Sequence, residues 1–195
     1  MAIIVNKEEK RRNIALSCRE LLLKYGIENI TISQIAKTAG VGKGTIYEYF
    51  NNKEEIVFEI MTVFIAEYEK DLSRIVSKEL NVKKKLFHFL YLSFEDEDRT
   101  RQLALYREFL AITMRTGTDE MIEFNKECRK KFIAILNHII DDGIKKGELP
   151  SEVKGLTSMI VVFALGLIVE VHTARLNPKE EIEYFLDTLF ELIKE

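Results

Sequence analysis

The sequence predicts an all-α protein of about nine helices, and three features carry that prediction. The only prolines, Pro150 and Pro178, lie late, so a run of 149 residues holds nothing that must break a helix. Apolar residues recur at helical spacing, and the recurring stretches are bracketed by cap and stop residues. No stretch alternates apolar with polar residues, and neither a hairpin turn nor an internal repeat occurs. At 195 residues the chain is long enough for one or two domains with a sizeable core.

The first helix opens at the capped segment Asn6-Lys-Glu-Glu9 and stops at Gly26, with Ile14, Cys18, Leu21, Leu22 and Tyr25 as one apolar stripe. Thr31-Ile-Ser-Gln34 reads as a capping box, with Ile30 and Ile35 placed for a hydrophobic staple. This second helix is short and ends at Gly40. A third, equally short, runs from Gly42 to Tyr49. Asn52-Lys-Glu-Glu55 caps a long fourth helix reaching about Ser77. Five more are expected near Val82–Phe94, Arg99–Thr116, Asp119–Lys146, Glu152–Leu176 and Pro178–Lys194. Gly117 and Gly147 stop two of them, and Lys145 and Lys146 suit the negative end of a helix dipole. Asn177-Pro178 places an Asn cap before a proline at the first helical position. The acidic run Glu95 to Asp98 is expected as a solvated loop.

The net charge of −3 is unevenly spread: residues 1–56 carry nine Lys/Arg against seven Asp/Glu, and the remainder is acidic. A mildly basic head on an acidic body hints that the head meets a polyanion. Ile3-Ile4-Val5 is too short for the apolar core of a signal peptide. The longest apolar run, Met159 to Val169, falls short of the roughly 20 residues that span a bilayer, so no membrane partner is expected. Cys18 and Cys128 lie far apart inside helical patterns and read as unpaired thiols of a cytoplasmic protein. His88, His138 and His172 are isolated, and no HExxH, CxxC or GxSxG motif occurs. Neither an enzyme, a metal site nor a cofactor is expected.

One stretch carries the functional reading: AGVGKGTIYEYF, residues 39–50. Its glycines and lysine imitate a phosphate loop, but Gly44 stands where that loop needs Ser or Thr, Lys37 where it needs glycine, and a helix leads in where a strand is required. A glycine-bearing bend between two short helices is instead a helix-turn-helix, whose second helix presents its N-terminal residues to the major groove. Gly40 can take the left-handed conformation at the bend. Ala36 permits close helix approach, and Ile32, Ile35, Val41, Ile46 and Phe50 supply apolar contacts. Lys43, Thr45, Tyr47 and Tyr49 offer one charge and three hydroxyls to phosphates and base edges, while Gly44 allows the backbone to approach. Thr31 and Lys53, at the starts of the flanking helices, are expected as further phosphate contacts. Glu48 faces the same side; its carboxylate suits a cytosine amino group or simply meets solvent.

Thr31 through Ile56, TISQIAKTAGVGKGTIYEYFNNKEEI, resembles the DNA-binding segment of the TetR family of transcriptional regulators. The likeness rests on Thr31, Ile35, Ala36, Ala39-Gly40-Val41, Lys43-Gly44-Thr45, Tyr47, Tyr49-Phe50 and Lys53-Glu54-Glu55. It covers roughly residues 8–68; beyond them only the helical architecture agrees. Gly42 departs from the pattern by standing where that family often has a serine cap.

The resemblance implies an all-helical homodimer, most often a repressor released from a palindromic operator in double-stranded DNA by a small amphipathic or hydrophobic effector. It assigns residues 1–52 to a reading head with its motif at about 31–50, 53–77 to a connector, and 78–195 to ligand binding and dimerisation. Aromatic residues on the middle helices, Tyr91, Phe94, Tyr106, Phe109 and Phe124, are candidates for the effector pocket together with Cys128 and Phe163; core packing is the competing use of each. Arg107-Glu108 and His172 are polar groups in apolar stretches, serving either a ligand or an internal partner. Leu156 to Val171 is apolar nearly all round, more than a one-faced helix requires. Val161, Leu165 and Ile168, with Phe185 and Leu189 of the last helix, are therefore expected at the dimer interface.

Overall fold

The computed structural model describes residues 7–193, and every regular element among them is helical. The helices are α1 (Lys7–Ser17), α2 (Arg19–Tyr25), α3 (Ile32–Ala39), α4 (Lys43–Tyr49), α5 (Lys53–Val76), α6 (Val82–Tyr91), α7 (Glu97–Thr116), α8 (Asp119–Lys145), α9 (Leu156–Thr173) and α10 (Pro178–Leu192). Short 3₁₀ turns, Leu92–Phe94 and Ser151–Gly155, follow α6 and precede α9. Ile3-Ile4-Val5, the Asn6 cap and Lys194 lie outside the described residues.

The expected first helix is two segments. Cys18 N–H turns back to the Ala15 carbonyl at 3.0 Å, and the Ser17 hydroxyl donates to the Ile14 carbonyl at 2.7 Å. A serine hydroxyl bonded into the preceding turn bends a helix, a local competition that apolar spacing does not reveal. Elsewhere the caps act as their residue types dictate. Asn52 Oδ1 accepts from Glu55 N–H at 2.9 Å, and Asn177 Oδ1 from Lys179 N–H at 3.1 Å behind Pro178. The acidic run differs from the expected loop: Asp96 accepts from Arg99 N–H at 2.8 Å and caps α7, whose first turn holds Glu97 and Asp98. Carboxylates there meet the positive end of the helix dipole.

The chain divides into two compact units that do not follow its linear order. The first holds α1 to α4, α5 as far as Ala66, and residues 104–121 with the later part of α7. Its interior is built from Ile14, Leu22, Ile35, Ile46, Phe50, Ile60 and Phe109, all buried. The second unit takes residues 67–103 and those from 122 onward, around Leu72, Leu86, Leu136, Ile182 and Leu186. It buries the Lys85 ammonium, which is tolerable because Asp142 accepts from it at 3.0 Å. Hydrogen bonds from Lys146 and Lys85 hold the Asp142 carboxyl down at about 2.

Candidate nucleic-acid interface

The helix-turn-helix is fixed from both ends of α3. Thr31 Oγ1 accepts from Gln34 N–H at 3.3 Å, and Gln34 Oε1 accepts from Thr31 N–H at 2.8 Å, so the expected capping box forms. At the other end Gly40 adopts φ 66°, ψ 29°, the left-handed conformation. Gly40 N–H bonds to the Lys37 carbonyl at 3.3 Å and Val41 N–H to the Ala36 carbonyl at 3.0 Å. This paired closure satisfies carbonyls that a helix end otherwise leaves open. It stops α3 abruptly and lets α4 begin at Lys43, after three intervening residues.

Two side chains anchor α4. Ile46 is 0% exposed and Phe50, at its C-terminal cap, 1%. With that face inward, Lys43, Gly44, Tyr47 and Glu48 are exposed on the other, Tyr47 by 60%. Thr45 and Tyr49 are half-buried at the edges. The outward face therefore offers one ammonium, one phenol, a bare backbone at Gly44 and one carboxylate, on a helix held by apolar contacts behind it.

Two expected phosphate contacts are engaged elsewhere. The Lys53 ammonium donates to the carbonyls of Ile27, Glu28 and Ile30 at 2.8, 3.2 and 2.9 Å. An ammonium has three protons to donate, and these bonds take them all. The Thr31 hydroxyl donates to Gln34 Oε1 at 2.9 Å within the capping box.

Sequence reasoning missed Arg11. From α1 its guanidinium reaches the Tyr49 carbonyl, Glu59 at 3.0 Å and Glu55 at 3.7 Å, and lies 4.5 Å from the centre of the Phe50 ring. One side chain thus ties the end of α4 to α1 and α5. Nothing in the local pattern around position 11 points to a contact with position 49.

A model of bacterial regulatory proteins of the tetR family matches residues 17–60, the span that contains this motif. The fatty acid metabolism regulator protein of Bacillus subtilis (strain 168) is 27% identical over 143 residues, 73% of this chain and 72% of its own. The chain belongs to the TetR family. It is a transcriptional regulator with a helix-turn-helix DNA-binding head. The HTH-type transcriptional regulator YhgD of the same organism, itself uncharacterized, is 25% identical over 154 residues, 79% of each chain. Among solved structures, the transcriptional regulator FadR from Bacillus subtilis in complex with stearoyl-CoA has a TM-score of 0.62 to this chain. The match covers 93% of this chain and 96% of that one at 23% identity, a likeness of fold.

In this TetR-family chain the seven residues expected around an effector fall in both units. Tyr106 and Phe109 belong to the first unit, where Phe109 is fully buried with its ring 6.3 Å from Phe58 and 6.5 Å from Tyr106. Phe109 is core and offers no face to a ligand. In the second unit Tyr91 stacks on Phe87 at 5.3 Å, while Phe94 and Phe124 are half-buried. Cys128 is buried there, and desolvation pushes its thiol up to about 11 against the opposing pull of Lys131. Phe163 stacks flat on Phe185 at 4.0 Å, so the two fill each other's space and join α9 to α10. Both rings remain half-buried. A polar group the sequence did not single out is Tyr68, whose hydroxyl donates to the Phe89 carbonyl at 3.3 Å and accepts from Ser93 at 3.1 Å. Burial pushes it up to about 12.

Of the three α9 residues expected at an interface, Leu165 faces outward while Val161 and Ile168 face inward. Val161 is 5% and Ile168 8% exposed, packed into the chain's own core. The outward face carries Met159, Val162, Leu165 and Val169, with Met159 65% and Val162 59% exposed; Tyr184 and Leu192 are exposed on α10. Leu189 is half-buried, and His172 is exposed near the end of α9. Because α9 is apolar all round, sequence alone gives no way to tell its inner face from its outer one.

Proposed function

We propose that this chain is a homodimeric repressor that places two copies of α4 in successive major grooves of a palindromic operator and is released by an amphipathic effector. The observation that carries the reading is α4 itself, with Ile46 and Phe50 buried behind it and Lys43 and Tyr47 presented outward. Helix-turn-helix dimers read half-sites about one helical turn apart. The second copy covers the apolar face of Met159, Val162, Leu165 and Val169. Among the described residues Ser151–Thr173 is apolar enough to cross a membrane by length and composition. On one side Ile160, Val161, Leu167 and Ile168 are buried in the chain's own core. A partner helix pair accounts for both faces, and the protein works in the cytoplasm.

The reading head is residues 1–52, the connector 53–77, and the remainder the effector and dimer domain. A long-chain acyl compound is the first effector to test, on the strength of the B. subtilis fatty acid metabolism regulator and the stearoyl-CoA complex. Tyr91, Phe94, Phe124 and Cys128 are the residues proposed to meet its apolar part. An effector that prefers one separation of the heads draws population from the operator-competent state. Lys43→Ala and Tyr47→Ala test the reader directly. Each is expected to abolish operator retention in a gel shift while the dimer mass is unchanged. Full retention by both variants would remove α4 from the interface.

A further inference from the structure

The loop that joins α2 to α3, Gly26–Ile30, is gripped from two sides by side chains distant in sequence. From α5, the Lys53 ammonium donates to the Ile27, Glu28 and Ile30 carbonyls. From α7, Glu108 Oε2 accepts from Ile27 N–H at 3.1 Å, and Arg115 donates to Glu28 at 2.6 Å. Gly26 shapes the loop for this grip. It sits at φ 71°, ψ 159°, a region open essentially to glycine alone. A Cβ there would stand 3.0 Å from Glu108 Oε1, so the missing side chain is also the space the carboxylate uses. Alongside, Ile27, Asn29, Ala111, Ile112 and Arg115 line a cleft of about 260 Å³. Apolar packing is therefore incomplete at this seam, and the polar bonds carry the attachment.

We infer that Lys53 and Glu108 are positioning residues for operator binding: they clamp the α2–α3 loop and so set the angle at which α3 and α4 leave it. This rests on the proposed reading of α4 and deepens it in one respect. A residue remote from the helix-turn-helix, outside the matched span of 17–60, becomes necessary for DNA binding, and a lysine expected on the phosphates acts without touching them. The chemistry of the grip is specific. Glu108 must accept, which a glutamine oxygen also does; Lys53 must donate in several directions, which no apolar side chain does. Hydrogen bonds to charged groups are worth roughly one to two decades in an equilibrium constant.

The test measures binding to a duplex that the wild-type protein enriches from a randomised library, over a range of salt, for Lys53→Met, Glu108→Ala and Glu108→Gln. If the wild type retains no duplex, the proposed function falls and the clamp with it. Given wild-type binding, Glu108→Ala and Lys53→Met are expected to weaken it about tenfold or more, with the same slope of log affinity against log salt. Glu108→Gln is expected to stay within about threefold of wild type. A phosphate-bound lysine would behave otherwise, since its loss from both heads flattens the slope by about two. A flattened slope for Lys53→Met, or wild-type affinity for Glu108→Ala, overturns the inference. Should Lys53→Met fail to fold, the Glu108 pair decides alone, because Gln keeps and Ala removes an acceptor for the Ile27 amide.

Discussion

Two glycines two residues apart should respond to substitution with opposite signs. Gly40 holds the left-handed conformation at φ 66°, where an L-residue costs about 1–2 kcal/mol. A Cβ there meets nothing within 4 Å, so no clash adds to the backbone cost. Alanine also restricts the unfolded chain, which offsets about 0.4–1 kcal/mol. Gly40→Ala is therefore expected to destabilise by about 1 kcal/mol. Gly42 lies at φ −72°, ψ 155°, extended backbone that any residue adopts, again with nothing within 4 Å of a Cβ. Serine there restricts the unfolded chain by the same amount and supplies the side-chain cap that α4 lacks, a few tenths of a kcal/mol more. Gly42→Ser is expected to stabilise by about 1 kcal/mol. In a chain of this size each kcal/mol moves Tm by about 2–4 °C, so the two variants should melt about 4–8 °C apart on either side of wild type. Thermal melts followed by circular dichroism at one protein concentration measure this. Gly40→Ala melting with wild type, or Gly42→Ser melting below it, would refute the assignment of the turn.

Arg11→Ala should destabilise by about 1–2 kcal/mol, discounted for the 30% exposure of the side chain, because it leaves the Tyr49 carbonyl and Glu59 unmatched; urea unfolding measures the loss. Val162→Glu should give a monomer by light scattering with helical content intact, whereas Ile168→Glu should unfold the second unit by placing a charge in its core. Cys128 should resist a thiol reagent at pH 8 in the native protein and react once unfolded, since burial holds its thiol up near 11 and the thiolate is the reactive form. The linked stability has a definite sign: favoured in the protonated form, it is whole below the ordinary thiol value of 9 and declines as pH rises from there through about 11, which urea midpoints across that window follow.

The head was legible because its determinants are local. A Thr three residues before a Gln, a glycine after a short apolar pattern and an Asn before Lys-Glu-Glu each act through bonds spanning at most five residues. The engagement of Lys53 came from bonds of another kind. Lys53 reaches carbonyls 23 to 26 residues away, and Glu108 reaches an amide 81 residues away, so neither partner leaves a mark on neighbouring spacing. Recruitment of residues 104–121 to the first unit is equally long-range. In the body, aromatics at helical spacing were ambiguous by nature: Phe109 fills a core, and Phe163 with Phe185 fills a seam between two helices. Burial of a phenyl ring and exposure to an apolar ligand ask the same of a sequence. On α9 the same ambiguity put Val161 and Ile168 outward, where Val162 and Val169 stand.

The claim everything depends on is that α4 enters the major groove, twice, from one side of the duplex. Methylation protection reads this most directly, because guanine N7 lies on the major-groove edge. Two protected clusters centred about one helical turn apart, both absent with Tyr47→Ala, are expected. A single unpaired cluster, or protection confined to adenine N3 in the minor groove, would contradict the account.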